Sequence, residues 1–324
     1  MKKQQNQMII SDITAISDCS HMTEHAKMLF ESALSPATKK AYEASWADFV
    51  EFCENHEKNA LGCDVSTLVM YLTDQSQKQK SSQTLQKRLA AIKFVHEIKG
   101  LEAPITHKIV ATLMKGIRRT QASRPKHNKL PIRITMLENM MQYCDLNTLK
   151  GLRDYAILIF GFSGAFRRSE ICNIMIDDLE ETTEGLKVYI RQSKTDQEGA
   201  GHIIALPHGQ IFPVTKALKG WLQAAHIHEG HVFRSIRKGG HTLGNSLQPL
   251  AVNQILKEYL EKAGYDPDRY GAHSLRSGFL TEAAEHGASL FKMLEVSRHK
   301  STDMVLHYVR TANLFKDHAG KDFL

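Results

Sequence analysis

The sequence predicts a mainly α-helical chain in two domains, the second carrying one small antiparallel β-sheet. Three observations lead there. Apolar residues recur at helical spacing through residues 36–119, with no alternating segment among them. Residues 115–133 hold seven Lys and Arg, no acid and two prolines, Pro125 and Pro131, so the middle of this stretch reads as an extended linker and not a continuing helix. The alternating segments 186–191 and 202–206 are parted by turn-rich residues 195–201, as a β-hairpin requires. The predicted layout is a helical domain over 1–121, a basic linker over 122–133 and an α+β domain over 134–324.

Residues 1–33 read as a polar tail followed by a helix. Ser35-Pro36 supplies an N-cap with proline at the first helical position. Tyr42, Trp46, Phe49, Val50 and Cys53 then form one apolar stripe, which is packing and not a cofactor site. Further helices are predicted at 65–75, at 83–99 and at 107–119. The second of these turns Leu85, Leu89, Ile92, Val95 and Ile98 inward and keeps Lys87, Arg88 and Lys93 for solvent or phosphate. The third buries Ile109, Val110, Leu113, Met114 and Ile117. In the second domain a helix at 135–143 precedes a strongly apolar one at 149–163. The chain then enters Gly164-Ala165-Phe166-Arg167-Arg168-Ser169-Glu170, where charges interrupt the apolar run. Charges beside a buried helix are costly unless paired or used on a ligand. Residues 174–179 are expected to add a third strand, 239–245 form a loop without a phosphate-binding G-K-[ST], and a helix spans 252–263.

The chain of 324 residues is long enough for two cores. No apolar run approaches the ~20 residues of a membrane span, and the polar start lacks a signal-peptide core, so a cytoplasmic protein is expected, nucleoid-associated if bacterial. Five cysteines without a C-x-x-C pair argue against a disulfide framework or a zinc ribbon. His226, His228 and His231 lack a carboxylate or H-E-x-x-H frame and read as surface residues. The net charge is +7, with 20 Lys and Arg against 13 Asp and Glu over 1–133 but 22 against 22 over 134–324. The excess lies wholly in the first part, which suits a polyanionic partner there.

The chemistry concentrates near the C-terminus. His273 and Arg276 are three apart on a helical pattern and so leave one face, which suits an anion. His299 follows a second short helix and Tyr308 sits on a third. Singly, each has an ordinary reading as a surface or packed residue. In this order, His273-Ser274-Leu275-Arg276, His299 and Tyr308 resemble the C-terminal signature of the tyrosine recombinase or phage integrase family, H-x-x-R, then H or W, then Y. The segment around Arg167 and Glu170 is similar to that family's G-x-R-x-S-E block, and Lys194 in Ser193-Lys194-Thr195 to its hairpin lysine. The helical half resembles the core-binding domain that precedes the catalytic domain in integrases.

The resemblance implies a catalytic set of Arg167, Lys194, His273, Arg276, His299 and Tyr308, with Glu170 supporting. It implies strand cleavage through a 3′-phosphotyrosyl bond with neither metal nor cofactor. It also implies a homotetramer on two paired double-stranded DNA sites and no membrane partner. Lys87, Arg88, Lys115, Arg118, Arg119, Arg124, Lys126 and Lys129 are the expected phosphate contacts. Two departures stand out. Arg168 falls where many relatives are apolar, and a DNA or surface contact is its expected role. Arg298 falls where they often have glycine, and is expected to tilt its loop or touch phosphate. The rival readings are a type IB topoisomerase-like relaxing enzyme, a catalytically inactive DNA-binding protein, and a metal-dependent nuclease, for which no carboxylate cluster speaks.

Overall fold

The computed structural model describes residues 33–122, 129–191, 201–237, 239–240, 242–299 and 301–312. The helix expected before residue 33, together with Arg124, Lys126 and Lys194, lies outside the described residues. The chain divides into two compact units, Met1–Lys126 and His127–Leu324.

The first unit contains helices α1 (Pro36–Asn55), α2 (Val65–Gln77), α3 (Ser82–Ile98) and α4 (Lys108–Ala122). Three of them start where a side chain can take an orphan N–H. Ser35 Oγ accepts from Thr38 N at 3.2 Å, Asp64 Oδ1 from Thr67 N at 2.7 Å, and Ser81 Oγ from Thr84 N at 3.1 Å. Their apolar stripes meet in one core that includes Trp46, Phe49, Tyr71, Leu85, Ile92 and Met114. Ile109, expected inside, is 55% exposed. The buried stripe of α4 runs through Val110, Met114 and Ile117, and Ile109 sits one residue off it, about 100° round the helix. Ile98 is only half-buried. Arg88, grouped by sequence with the phosphate-facing cations, directs Nη1 inward to Asp48, to Tyr71 Oη at 3.0 Å and to Gln75 Oε1 at 2.7 Å. The fully buried His96 donates from Nδ1 to Ile92 O at 2.8 Å and accepts Gly62 N–H on Nε2 at 3.0 Å. It is a neutral packing histidine whose pKa burial holds below its ordinary value.

The second unit opens with an extended strap. Leu130 N donates to Arg269 O at 2.9 Å and Ile132 N to Ser274 O at 3.0 Å. Helices α5 (Ile134–Gln142), α6 (Leu149–Ser163) and α7 (Arg168–Asn173) follow. The seven residues Ala156–Phe162 of α6 are all buried, as the run of apolar residues there requires. The three-stranded antiparallel sheet, in order β1-β2-β3, comprises β1 (Leu179–Glu181), β2 (Gly185–Ile190) and β3 (His202–Pro207). Leu186 faces Leu206 and Val188 faces Ile204 on its buried side. Residues 174–179, expected as the third strand, hold a 3-10 turn at Ile176–Asp178 and only then β1. The cause is Asp178, whose Oδ2 accepts Met175 N–H at 2.9 Å and closes the turn.

Helix α8 (Val214–Ala224), unread in the sequence, buries Val214, Ala217, Leu218 and Trp221, and Trp221 Nε1 donates to Val232 O at 2.8 Å. Most of the loop expected at 239–245 belongs instead to β5 (Thr242–Ser246), paired antiparallel with β4 (Arg234–Ile236). That pair is short and shifted in register, so no alternation announces it. Helix α9 (Pro249–Lys262) leads to α10 (His273–Glu285), α11 (Leu290–Ser297) and α12 (Thr302–Ala312). These last three share a small core of Leu280, Ala284, Met293 and Val305, separate from the main one. Among the described residues no helix is long and apolar enough to cross a membrane.

Candidate active site

Three segments of the second unit meet at the N-terminal half of α10. The first is the exit of α6. Gly164 and Ala165, the latter with a φ of 46°, turn the chain, and Phe166 stacks on Phe160 with centroids 4.4 Å apart, which anchors the turn. Arg167 then N-caps α7 from an extended conformation. Its N–H donates to Glu170 Oε2 at 2.7 Å and its Nη1 to Glu170 Oε1 at 2.6 Å. One carboxylate thereby fixes both the backbone and the guanidinium.

The second segment is α10 itself. His273, its first residue, is exposed at the rim. Arg276, one turn on, has no exposed surface. Its Nη1 donates to Ala165 O at 2.7 Å and its Nη2 to Ser297 O, and Nη2 lies 3.3 Å from His299 Nδ1. All of these partners are uncharged. Burial, then the positive charges of Arg167 and Arg298, pull the Arg276 pKa down to about 9, which leaves it protonated at neutral pH. Among the described residues its hydrogen bonds go only to carbonyls and an imidazole, and Glu170 acts on its charge without a direct bond, an arrangement that suits an incoming anion.

The third segment closes α11. Arg298 takes the left-handed conformation, with φ 56° and ψ 38°, donates its N–H to Leu294 O at 2.7 Å and so ends the helix. Expected to tilt its loop or touch phosphate, its side chain is instead buried. Nη2 donates to Glu170 Oε2 at 2.7 Å, and the guanidinium carbon lies 5.3 Å from the Phe166 ring centre. Its carbonyl oxygen accepts from Arg167 Nη2 at 3.3 Å. Burial pushes the Glu170 carboxyl up, but Arg298 and then Arg167 outweigh it and hold the group below its ordinary value. His299 Nδ1 lies 2.8 Å from Ser297 Oγ. Burial first, then Arg276, Arg167, His273 and Arg298, bring the His299 pKa down to about 4, so its ring is neutral near pH 7. In the tautomer in which Nδ1 accepts from the Ser297 hydroxyl, Nε2 carries the proton and is a donor; Arg276 Nη2 lies 3.3 Å from Nδ1 and 3.4 Å from Nε2.

Arg167, Glu170, Arg276 and His299 are therefore joined by hydrogen bonds, directly or through Ser297 and Arg298. His273 and Tyr308 lie beside them without a direct bond. The protein packed around His273, then Arg276 and Arg167, hold its pKa below the ordinary value. Tyr308, on α12, is half-buried against the small core of α10–α12. Burial raises its pKa while Arg276 pulls it the other way, and its hydroxyl makes no hydrogen bond to the described residues. Arg168 is exposed at the start of α7. Of the expected phosphate contacts, Lys87, Lys115, Arg118 and Arg119 are exposed on α3 and α4, and Lys129, also exposed, donates from Nζ to Asp268 O. Ser297 and the buried role of Arg298 escaped the sequence reading. The available signal was a charged residue standing where relatives often have glycine.

Family models match the second unit over residues 132–314 (phage integrase family) and the first over 23–101 (phage integrase, N-terminal SAM-like domain). An integrase/recombinase, xerD homolog, of Selenomonas ruminantium is 35% identical over 324 residues, covering 98% of this chain and 94% of that protein. The recombinase cre of Escherichia phage P1 is 22% identical over 285 residues, with 82% and 80% covered. Two solved structures share the fold. XerH site-specific recombinase, in a post-cleavage complex with its palindromic difH substrate, has a TM-score of 0.62 at 14% identity over 86% of this chain and 76% of that one. The Tn1549 transposon integrase with transposon right end DNA has a TM-score of 0.62 at 13% identity over 90% and 97%. A family match spanning more than half of the chain, together with a relative of over 30% identity along nearly its whole length, makes this protein a member of the phage integrase family, the tyrosine-type site-specific DNA recombinases.

Proposed function

We propose that this recombinase cuts and rejoins double-stranded DNA through a 3′-phosphotyrosyl bond to Tyr308, in a cradle formed by Arg167, Arg276 and His299. One observation carries the reading: a wholly buried arginine without a carboxylate partner among the described residues, beside a second arginine, a neutral imidazole and an unbonded phenol. In the attack, Tyr308 Oη bonds to phosphorus as the P–O5′ bond breaks. The phenolic proton goes to His273, whose depressed pKa keeps a lone pair available at neutral pH. Arg167 and Arg276 neutralise the charge growing on the non-bridging oxygens, and His299 Nε2–H adds one hydrogen bond. Lys194 is assigned the proton delivered to the 5′-oxygen. Rejoining reverses each step with the 5′-hydroxyl of a second strand. Arg276 has no accessible surface, so the Ser297–His299 turn lying on it must yield before the guanidinium meets a phosphate.

Losing one such donor costs on the order of 3 kcal/mol of barrier, about a hundredfold in rate. The basic first unit and the linker cations Arg124, Lys126 and Lys129 hold the duplex, and a homotetramer on two paired sites exchanges the strands. The decisive experiment offers the protein a library of nicked duplexes in EDTA and captures denaturation-resistant adducts. Wild type is expected to form them, and Tyr308→Phe to bind the same DNA without doing so. An adduct in the Phe variant rejects the nucleophile, and a requirement for a divalent metal rejects the mechanism. Recombination between two captured sites, assayed beside supercoil relaxation, separates a recombinase from a topoisomerase.

A further inference from the structure

We infer that Arg298 is a positioning residue for this reaction, a two-ended bracket that sets how Arg167 and His299 are presented to the phosphate. The inference rests on the reading above. Its side-chain end occupies Glu170 Oε2 at 2.7 Å, so this oxygen, which also accepts the Arg167 N–H, is unavailable to the Arg167 guanidinium. Arg167 is left one ionic hydrogen bond, Nη1 to Oε1 at 2.6 Å, in place of the two-pronged pairing a carboxylate otherwise offers. Its backbone end accepts from Arg167 Nη2 at 3.3 Å, which gives that guanidinium a second fixed partner. The Arg298 carbonyl is also bonded to the nitrogen of His299, so the same bracket sets where the imidazole starts.

The surroundings show that the bracket is built and not incidental. The Arg298 side chain is 1% exposed and that of Glu170 2%, while Arg167 keeps 18% exposure toward the open side of the site. Arg298 also donates from Nη1 to Val296 O at 2.7 Å, reaches Gly164 O and Ala165 O at 3.5 Å, and lies on the face of Phe166, which belongs to the same turn as Arg167. A left-handed φ of 56° is strained for arginine and free for glycine. A side chain that merely ended the helix would have no reason to be this one. Arg298 thus ties the turn after α6 to the turn after α11, and each of those turns carries one donor of the cradle.

The test uses the full chain and the nicked duplex recovered by covalent capture, and compares wild type with Arg298→Gly and Arg298→Lys. Glycine keeps the backbone geometry and removes the bracket; lysine keeps a cation against Glu170 without the fork. For Arg298→Gly the cleavage rate at saturating DNA is expected to fall about 10- to 100-fold with DNA affinity within about twofold of wild type, as for other residues that orient reacting groups. Arg298→Lys should recover part of that rate. Wild-type rate in the glycine variant, a drop in affinity as large as the drop in rate, or both variants unfolded at the assay temperature would each overturn the positioning role. Failure of wild type itself to form an adduct would instead reject the mechanism on which this inference depends.

Discussion

His299 and Arg276 share one physical situation, ionisable groups crowded into a buried, strongly positive pocket. For His299 the consequence is a folded pKa of about 4 against an ordinary 6.5. Between those values the unfolded chain binds a proton that the folded one refuses, so the contribution of this residue to stability is complete above pH 6.5 and is lost as the pH falls toward 4. In the DNA-free protein an NMR titration of the His299 ring protons should therefore show a midpoint far below 6. A midpoint near 6.5 would mean that the ring is solvated and that the pocket is not assembled as described. The positions of His273, Arg276, His299 and Tyr308 stood out in the sequence through their spacing. That Arg276 is hydrogen-bonded only to uncharged groups did not, because those groups, the carbonyls of Ala165 and Ser297, come from segments that meet it only in the fold.

Helix α10 carries His273 and Arg276 on one side and receives the strap of residues 130–132 on the other. Gly278 marks the crossing: a Cβ there would lie 1.9 Å from Ile132 O. Gly278→Ala should force strap and helix apart, destabilise the second unit by about 1–3 kcal/mol and slow cleavage. Gly116 on α4, with nothing near its virtual Cβ, is the control, and its replacement by Ala should stabilise by about 0.5–1 kcal/mol. Thermal melting of the two variants checks both, and a neutral Gly278→Ala would show that the strap is loosely held. Long elements with one apolar stripe, such as α1 and α3, were legible because their period repeats several times, and α6 because its apolar run is nearly unbroken. Strands β4 and β5 were not, since three and five residues with an irregular register carry too little pattern.

At the scale of the whole chain, the excess of positive charge over residues 1–133 is the basis for testing whether that part holds DNA electrostatically. Lys115, Arg118 and Arg119 are exposed along the C-terminal half of α4 and share one face at spacings of three and four. If each neutralises one phosphate, replacing all three with Ala should lower the slope of log affinity against log salt by about 2.7, near 0.9 per phosphate. Titrations of duplex binding from low to high salt measure this, and an unchanged slope removes the three residues from the interface. Arg88 is left out of the set, since its Nη1 serves Asp48, Tyr71 and Gln75 inside the bundle.

The sequence by itself determined the helical class, the hairpin, most helix boundaries to within a few residues and the family signature, all of which are written in local periodicity and in the order of a few residue types. Only the tertiary structure decided which charge meets which. Arg88 turned inward to the bundle, Arg298 became an internal ion pair, and Arg276 was left with uncharged partners. The reason is that hydrophobic periodicity is a property of neighbours along the chain, whereas the compensation of a buried charge is settled by segments that meet only once the chain has folded.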